Sequence, residues 1–199
     1  MSVGRLAEPA SYDRGEECTR VTIRHLTREE LEAGLESIRQ SPTDHGIVEL
    51  IVSRPRPSAR EVLDRAELDP ASGLLGDSWS TRVASPDPQT QLNVMNARVI
   101  ALIAQDKARW PLAGDQLFVD LDLADDNLPP GSQLEIGSAV IEVSAEPHTG
   151  CGKFVERFGV DAMKFVNSPI GRKLHLRGIN ARVVRAGAVR VGDSARKCV

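Results

Sequence analysis

The 199-residue sequence predicts a mainly β fold, a β-barrel with peripheral α-helices. Three observations point to it. From Gly46 onward, short runs rich in β-branched residues alternate with glycine and proline turns. Helical periodicity is confined to residues near 28–39, 97–107 and 153–166. Residues 117–123 place Leu117, Val119, Leu121 and Leu123 on one face and Phe118, Asp120 and Asp122 on the other, the period of a strand.

Residues 1–20 lack periodicity and are expected to form a flexible N-terminal arm. Residues 21–45 form a helical extension, in which Thr27 and Glu30 have capping-box spacing and Leu31, Leu35 and Ile38 share a face. Ser41-Pro42 should end that helix, because a residue before proline avoids the α region. The barrel domain is expected over 46–199. It opens with a strand at Ile47–Val52, followed by an ambiguous stretch at Arg60–Leu68 and a loop ending in Gly73-Leu74-Leu75-Gly76-Asp77. A short strand at Gln91–Met95 leads to Asn96, a good N-cap for a helix reaching Lys107.

The second half is denser in strands. Asn127–Gly131 reads as a turn, and Gly137-Ser138 as the two-residue loop of a hairpin between Gln133–Ile136 and Ala139–Val143. Two short helices broken at Gly159 follow. Ile179–Val184 is a strand, and Val189–Val191 is expected to be the last one, closed by Gly192-Asp193. Alternate charged positions suggest a solvated outer face, and barrel closure would hide the strand edges.

Composition excludes several functions. Apolar residues make up 41% and charged residues 27%, which are globular values. The net charge is −3, with basic residues scattered and no stripe visible, so no nucleic acid is expected as partner. No apolar run approaches the ~18 residues of a span, so no membrane is expected. The first twenty residues hold no hydrophobic leader. That leads to an expected cytoplasmic setting, with Cys18, Cys151 and Cys198 as reduced thiols. These cysteines form no CxxC pair, which rules out a Cys-only zinc site.

Cys151 is the most informative residue. Glycines flank it and leave its sulfur open. It precedes a helix start, where unpaired N–H groups favour an anion, and His148, Lys153 and Arg157 would add positive potential. A thiolate serves as a nucleophile or a soft-metal ligand; an inert small hydrophobe is the competing reading on local features alone. His148-x-x-Cys151 has metal-pair spacing but lacks a second pair for zinc. Taken singly, Gly73-x-x-Gly76-Asp77 is a turn and Arg177-Gly178 a solvated base before a strand.

In order along the chain these pieces form a set. They are Gly73–Asp77, Gly114-Asp115-Gln116-Leu117, Leu134–Val143, Gly150-Cys151-Gly152-Lys153-Phe154, Arg177–Val183 and Gly187-x-Val189-x-x-Gly192-Asp193. The set resembles the MOSC domain, the module named for the C-terminal domain of molybdenum cofactor sulfurases, in a stand-alone bacterial-type version. The resemblance covers about Gly46 to Asp193.

The resemblance implies a MOSC-type β-barrel and places Cys151 at the family's hallmark cysteine. There it would be a ligand to molybdenum held by a pterin cofactor, in an oxidoreductase acting on N-hydroxylated small-molecule substrates. Alternatively it would carry a persulfide, as a sulfur carrier for metal-sulfur cofactor assembly. A non-enzymatic cofactor- or anion-binding module is the third reading. Residues implied on the cofactor side are Arg177, Lys153, His148, Thr149, Asp77 and Gln116. Replacing Arg177 by alanine is expected to weaken cofactor retention and leave folding intact. Two positions depart from the family pattern: Gly150 stands where proline is common, and Asp115-Gln116 where Glu-Asn is common. No ferredoxin-like cysteine set is present, so electrons would come from a separate electron-transfer protein.

Overall fold

The computed structural model describes residues 24–198. The expected arm over 1–20, with Cys18, lies outside the described residues.

Two short helices come first, α1 (Arg28–Ala33) and α2 (Leu35–Arg39). Both bonds of the expected capping box form: Glu30 N donates to Thr27 Oγ1, and Thr27 N donates to Glu30 Oε2 at 2.8 Å. One continuous helix was expected, but the chain turns at Gly34, a weak helix former.

Strand β1 (Gly46–Ser53) follows, then β2 (Glu61–Leu63), β3 (Arg65–Asp69) and β4 (Gly73–Leu74). The ambiguous stretch is therefore strand. Strand β5 (Leu92–Asn96) runs into α3 (Ala97–Ala104). Asn96 caps α3 by accepting from Arg98 N and Val99 N. The helix stops short of Lys107, because Gln105 adopts φ 62°, and a 3-10 turn spans Lys107–Ala113. Then come β6 (Leu117–Asp120), β7 (Gln133–Ile136) and β8 (Ala139–Val143). Helices α4 (Gly152–Phe158), α5 (Val160–Asn167) and α6 (Pro169–Lys173) precede β9 (Ile179–Arg185), β10 (Gly187–Arg190) and β11 (Ser194–Lys197).

Seven strands close in the order β11-β7-β8-β9-β5-β6-β1, with β1 pairing back onto β11 through Gly46–Ala195 and Ile47–Ser194. The barrel is mixed: β5 and β6 run parallel, joined by the α3 crossover, and the other barrel pairs are antiparallel. β2 extends β1, while β10, β3 and β4 form a small separate sheet. The closing strand is β11, so Val189–Val191 is not the last strand. Ser194–Lys197 holds one apolar residue, Ala195, and gives no periodic signal although that alanine is fully buried.

The barrel interior is packed with aliphatic side chains, among them Val48, Ile51, Val94, Leu117, Val119, Ile141 and Ala181. A second apolar layer lies outside, where Leu50, Val52, Met95 and Phe118 meet Leu31, Ile100, Phe158 and Phe165 of the helices. The outer face of β1, β5 and β6 is therefore covered by helices and not solvated as the strand charges suggested. A register shift between Val48 and Leu50 moves β1 out of strict alternation, which lets Ile51 enter the interior and Leu50 the helical layer. No helix among the described residues is long and apolar enough to cross a membrane.

Candidate functional site

Several connections meet beside the C-terminal end of β1 and the N-terminal ends of the parallel pair β5 and β6. They enclose a cleft of ≈ 340 Å³. Cys151 opens into it as the exposed N-cap of α4, its side chain making no cap bond. Gly150 shows why proline is dispensable here. Its N–H donates to Asn167 Oδ1 at 2.9 Å and its carbonyl accepts from Asn167 Nδ2 at 3.1 Å, so the thiol-bearing loop is tied to α5 by a bond that proline cannot make.

The cleft wall is cationic. Arg54, Arg56, Arg60, Arg82, Lys153, Arg157 and Arg177 all line it, and no aspartate or glutamate does among the described residues. Basic residues that look scattered in the sequence are thus gathered by the fold. Arg54 and Arg177 are neutralised from behind. Asp77, with no exposed side-chain surface, accepts from Arg54 Nε at 2.8 Å and from Arg54 N at 2.9 Å. Asp115, equally buried, accepts from Arg177 Nη1 at 2.7 and 3.0 Å. Arg56, Arg60, Arg82, Lys153 and Arg157 have no carboxylate partner among the described residues.

Arg177 spends Nη1 on Asp115 and Nη2 on the Ala113 carbonyl at 3.0 Å, over the Phe154 ring at 5.1 Å. Its Nε is buried without a partner. Removing such an arginine strands a buried carboxylate, so from the structure Arg177→Ala is expected to cost stability, where the sequence reading expects folding to stay intact. The glycine after it is required: Gly178 has φ +98°, and a Cβ there would sit 2.3 Å from the Val94 carbonyl oxygen.

His148 stands between this cleft and a neighbouring cavity of ≈ 410 Å³, its Nδ1 at 3.5 Å from Asp115 Oδ1. Burial, helped by the charge of Arg177, pushes its pKa down to about 3, against the pull of Asp115. His148 is therefore neutral at neutral pH and supplies no positive potential to Cys151, contrary to the expectation from sequence proximity.

The fold brings Cys151, Lys153, His148 and Arg177 into the cleft wall. Thr149 lines only the neighbouring cavity. Asp77 acts from behind the wall through Arg54. Gln116 is fully buried, accepting from Asn93 N at 2.8 Å and donating to the Gln91 carbonyl at 3.3 Å, so it staples the barrel end and does not face the cleft. Missed from the sequence were Arg54, Arg56, Arg60, Arg82 and Asn93. The run Arg54-Pro55-Arg56-Pro57-Ser58-Ala59-Arg60 was the available signal, three arginines on a proline-stiffened loop after a strand.

A closed mixed barrel with helices on one side, and one exposed thiol in a cationic cleft at its rim, defines the class: a barrel protein whose site is built on connecting loops. The chain belongs to the MOSC domain family, whose model matches residues 76–196. The YuaD protein from Bacillus subtilis has a similar fold, with TM-score 0.56 and 18% identity over 75% of this chain and 93% of that one. YiiM from Escherichia coli gives TM-score 0.51 and 18% identity over 77% of this chain and 70% of that one. YiiM from Geobacillus stearothermophilus gives TM-score 0.55 and 12% identity over 77% and 75%. No curated protein matches the chain.

The family is associated with a molybdenum-pterin cofactor, and the cleft has the donors to hold one. Among the described residues it offers one accessible soft donor, five cations without carboxylate partners, and an unpartnered buried N–H at Arg177 Nε. That donor set fits an anionic group carrying a thiophilic metal.

Proposed function

We propose that the chain binds a molybdenum-pterin cofactor and reduces N-hydroxylated small molecules, with Cys151 as the protein's ligand to the metal. The observation that carries this reading is one exposed thiol at a cleft whose wall, among the described residues, is cationic and free of carboxylates. The net reaction is R–NHOH + 2 e⁻ + 2 H⁺ → R–NH₂ + H₂O. The bound cofactor would supply the two-electron chemistry.

The chain's own residues do the rest. Cys151 binds through a soft thiolate on a loop fixed by Asn167. Lys153, Arg56 and Arg82 meet the ligand's anionic groups. Asp115 and Phe154 hold the Arg177 guanidinium in place. Neutral His148 offers a hydrogen bond at the wall without adding charge. With three cysteines in the chain and no cluster-binding set, the electrons come from a separate electron-transfer protein.

The test is reduction of benzamidoxime by the cofactor-loaded full chain with a reduced viologen as electron donor. Wild type forms the amidine and Cys151→Ser does not. If there is no reduction and Cys151 bears a cyanide-releasable sulfur, the protein is a sulfur carrier and this reading fails.

A further inference from the structure

The connection from β8 to α4 walls the Cys151 cleft off from the neighbouring cavity, and its His148 lines both spaces. Ala145, Glu146, Pro147 and Thr149 on it are exposed. Among the described residues, the Glu146 carbonyl is the one main-chain group of 145–149 with a hydrogen-bond partner. That partner is Asn180 Nδ2, at 3.0 Å. The main chain of Asn180 holds the same connection at its start, its carbonyl accepting from Ser144 N at 2.9 Å.

Asn180 ends a series of side chains that crosses the barrel end. Arg54 Nη1 donates to Asn93 Oδ1 at 2.7 Å, Asn93 Nδ2 donates to Asn180 Oδ1 at 2.6 Å, and Asn180 Nδ2 donates to Glu146 O. The two asparagines meet because they are directly opposed residues of β5 and β9. The direction of the series is set at both ends. A guanidinium can only donate and a carbonyl oxygen can only accept, so each amide between them must receive on its oxygen and donate from its nitrogen. Asp77 fixes the starting point by accepting from Arg54 Nε at 2.8 Å and Nη2 at 3.2 Å. Asn180 is buried and Asn93 half-buried. Turning either amide over would press two oxygens or two N–H groups together there, so the series acts as a unit.

His148 does little to hold itself in place. Its Nδ1 is buried without a hydrogen bond, 3.5 Å from Asp115 Oδ1. A buried polar atom of this kind favours turning out to water, so the connection must be restrained from elsewhere.

We propose that Asn93 and Asn180 are positioning residues that hold His148 in the wall of the Cys151 cleft, acting as one relay from Arg54 to the Glu146 carbonyl. The relay requires no metal and no ligand. Its bearing on turnover rests on the reading above, in which His148 meets the bound ligand.

The test is an NMR titration of the His148 ring in the full chain purified free of cofactor, with circular dichroism at each pH to establish that the chain is folded. Asn180→Leu is close in shape, removes the bond to Glu146 and adds no charge near the ring. The charges that bear on His148, those of Arg177, Asp115 and Arg54, all remain. Loss of one hydrogen bond favours the outward connection by about tenfold, and an outward ring takes up a proton as an ordinary imidazole does. The midpoint of His148 therefore rises by about one pH unit. Asn180→Ala gives the same rise, so the outcome does not hang on how leucine fits. Asn93→Leu touches no atom of the connection, yet it frees the Asn180 amide to turn and raises the proton affinity of His148 by about threefold. The double variant Asn93→Leu with Asn180→Leu titrates like Asn180→Leu alone, because a relay already cut has nothing further to lose. Gln91→Leu removes another buried amide at this barrel end, one bonded to Val183 N and Pro70 O, and leaves the midpoint where it was.

A wild-type midpoint in folded Asn180→Leu or Asn93→Leu overturns the proposal. So do shifts that add in the double variant, or an equal shift in Gln91→Leu. Failure of the molybdenum reading is separate, since it leaves every one of these titrations of the cofactor-free chain unchanged.

Discussion

Both oxygens of Asp115 accept from one nitrogen of Arg177, Nη1, across 62 residues of chain, and neither side chain exposes more than 8% of its surface. The pair fastens the segment before β6 to the segment before β9 and holds Arg177 in the wall of the Cys151 cleft. Its energetic character is that of a buried ion pair, weak as a net stabiliser and costly to break on one side.

Arg177→Ala is accordingly expected to destabilise the protein by about 3–5 kcal/mol, because Asp115 is left charged and dry. The double replacement Arg177→Met with Asp115→Leu should recover most of that loss. Urea unfolding of the three proteins checks this. A single variant within about 1 kcal/mol of wild type would show that water reaches Asp115 freely.

Gly178→Ala should be equally damaging for a different reason. The new Cβ meets the Val94 carbonyl at 2.3 Å, and the backbone conformation at φ +98° is one that side chains disfavour. A loss of about 3 kcal/mol or more is expected from strain and displacement of β5. A thermal melt unchanged from wild type would contradict the packing of β9 against β5.

His148 gives a pH dependence of definite sign. Its folded pKa of about 3 lies below the unfolded value near 6.5. Above pH 6.5 both states are neutral at this position and stability is independent of it. Between about 6.5 and 3 the unfolded chain takes up a proton that the native state refuses, so stability falls as pH falls, by up to ~1.4 kcal/mol per pH unit. His148→Gln should remove that slope. Equal slopes in both proteins would place the charge elsewhere.

At the other end of the chain, Thr27→Ala removes the side-chain acceptor of the capping box and should cost about 1 kcal/mol. Differential scanning calorimetry reads it as a small drop in Tm, and the cleft should be unaffected.

The sequence carried more of the barrel than of the site. The hairpin at Gly137-Ser138, the cap at Asn96 and the break at Gly159 were legible because each rests on local turn or cap chemistry. Strand β11 was not, since Ala195 alone marks its buried face and its pairing with β1 is wholly non-local. Cys151 was legible from its flanking glycines, and its loop's tether to Asn167 was not. The cationic wall was illegible for the same reason as β11. Arg54 and Arg60 share one loop, but Arg82, Arg157 and Arg177 come from three other stretches, and only barrel closure brings the four together. His148 shows the converse: adjacency in sequence suggested a positive neighbour for the thiol, and burial beside Arg177 makes it neutral.

Metal content tests most directly whether Cys151 ligates molybdenum. The full chain is produced in a host that makes the cofactor, purified without oxygen, and assayed for molybdenum and pterin beside Cys151→Ser. Wild type should carry on the order of one molybdenum per chain. The serine variant should carry almost none, because a hard, hardly ionised hydroxyl replaces a soft thiolate. Its melting temperature should be unchanged, since the thiol is exposed and makes no cap bond. Metal-free wild-type protein, or equal molybdenum in the two, would contradict the account.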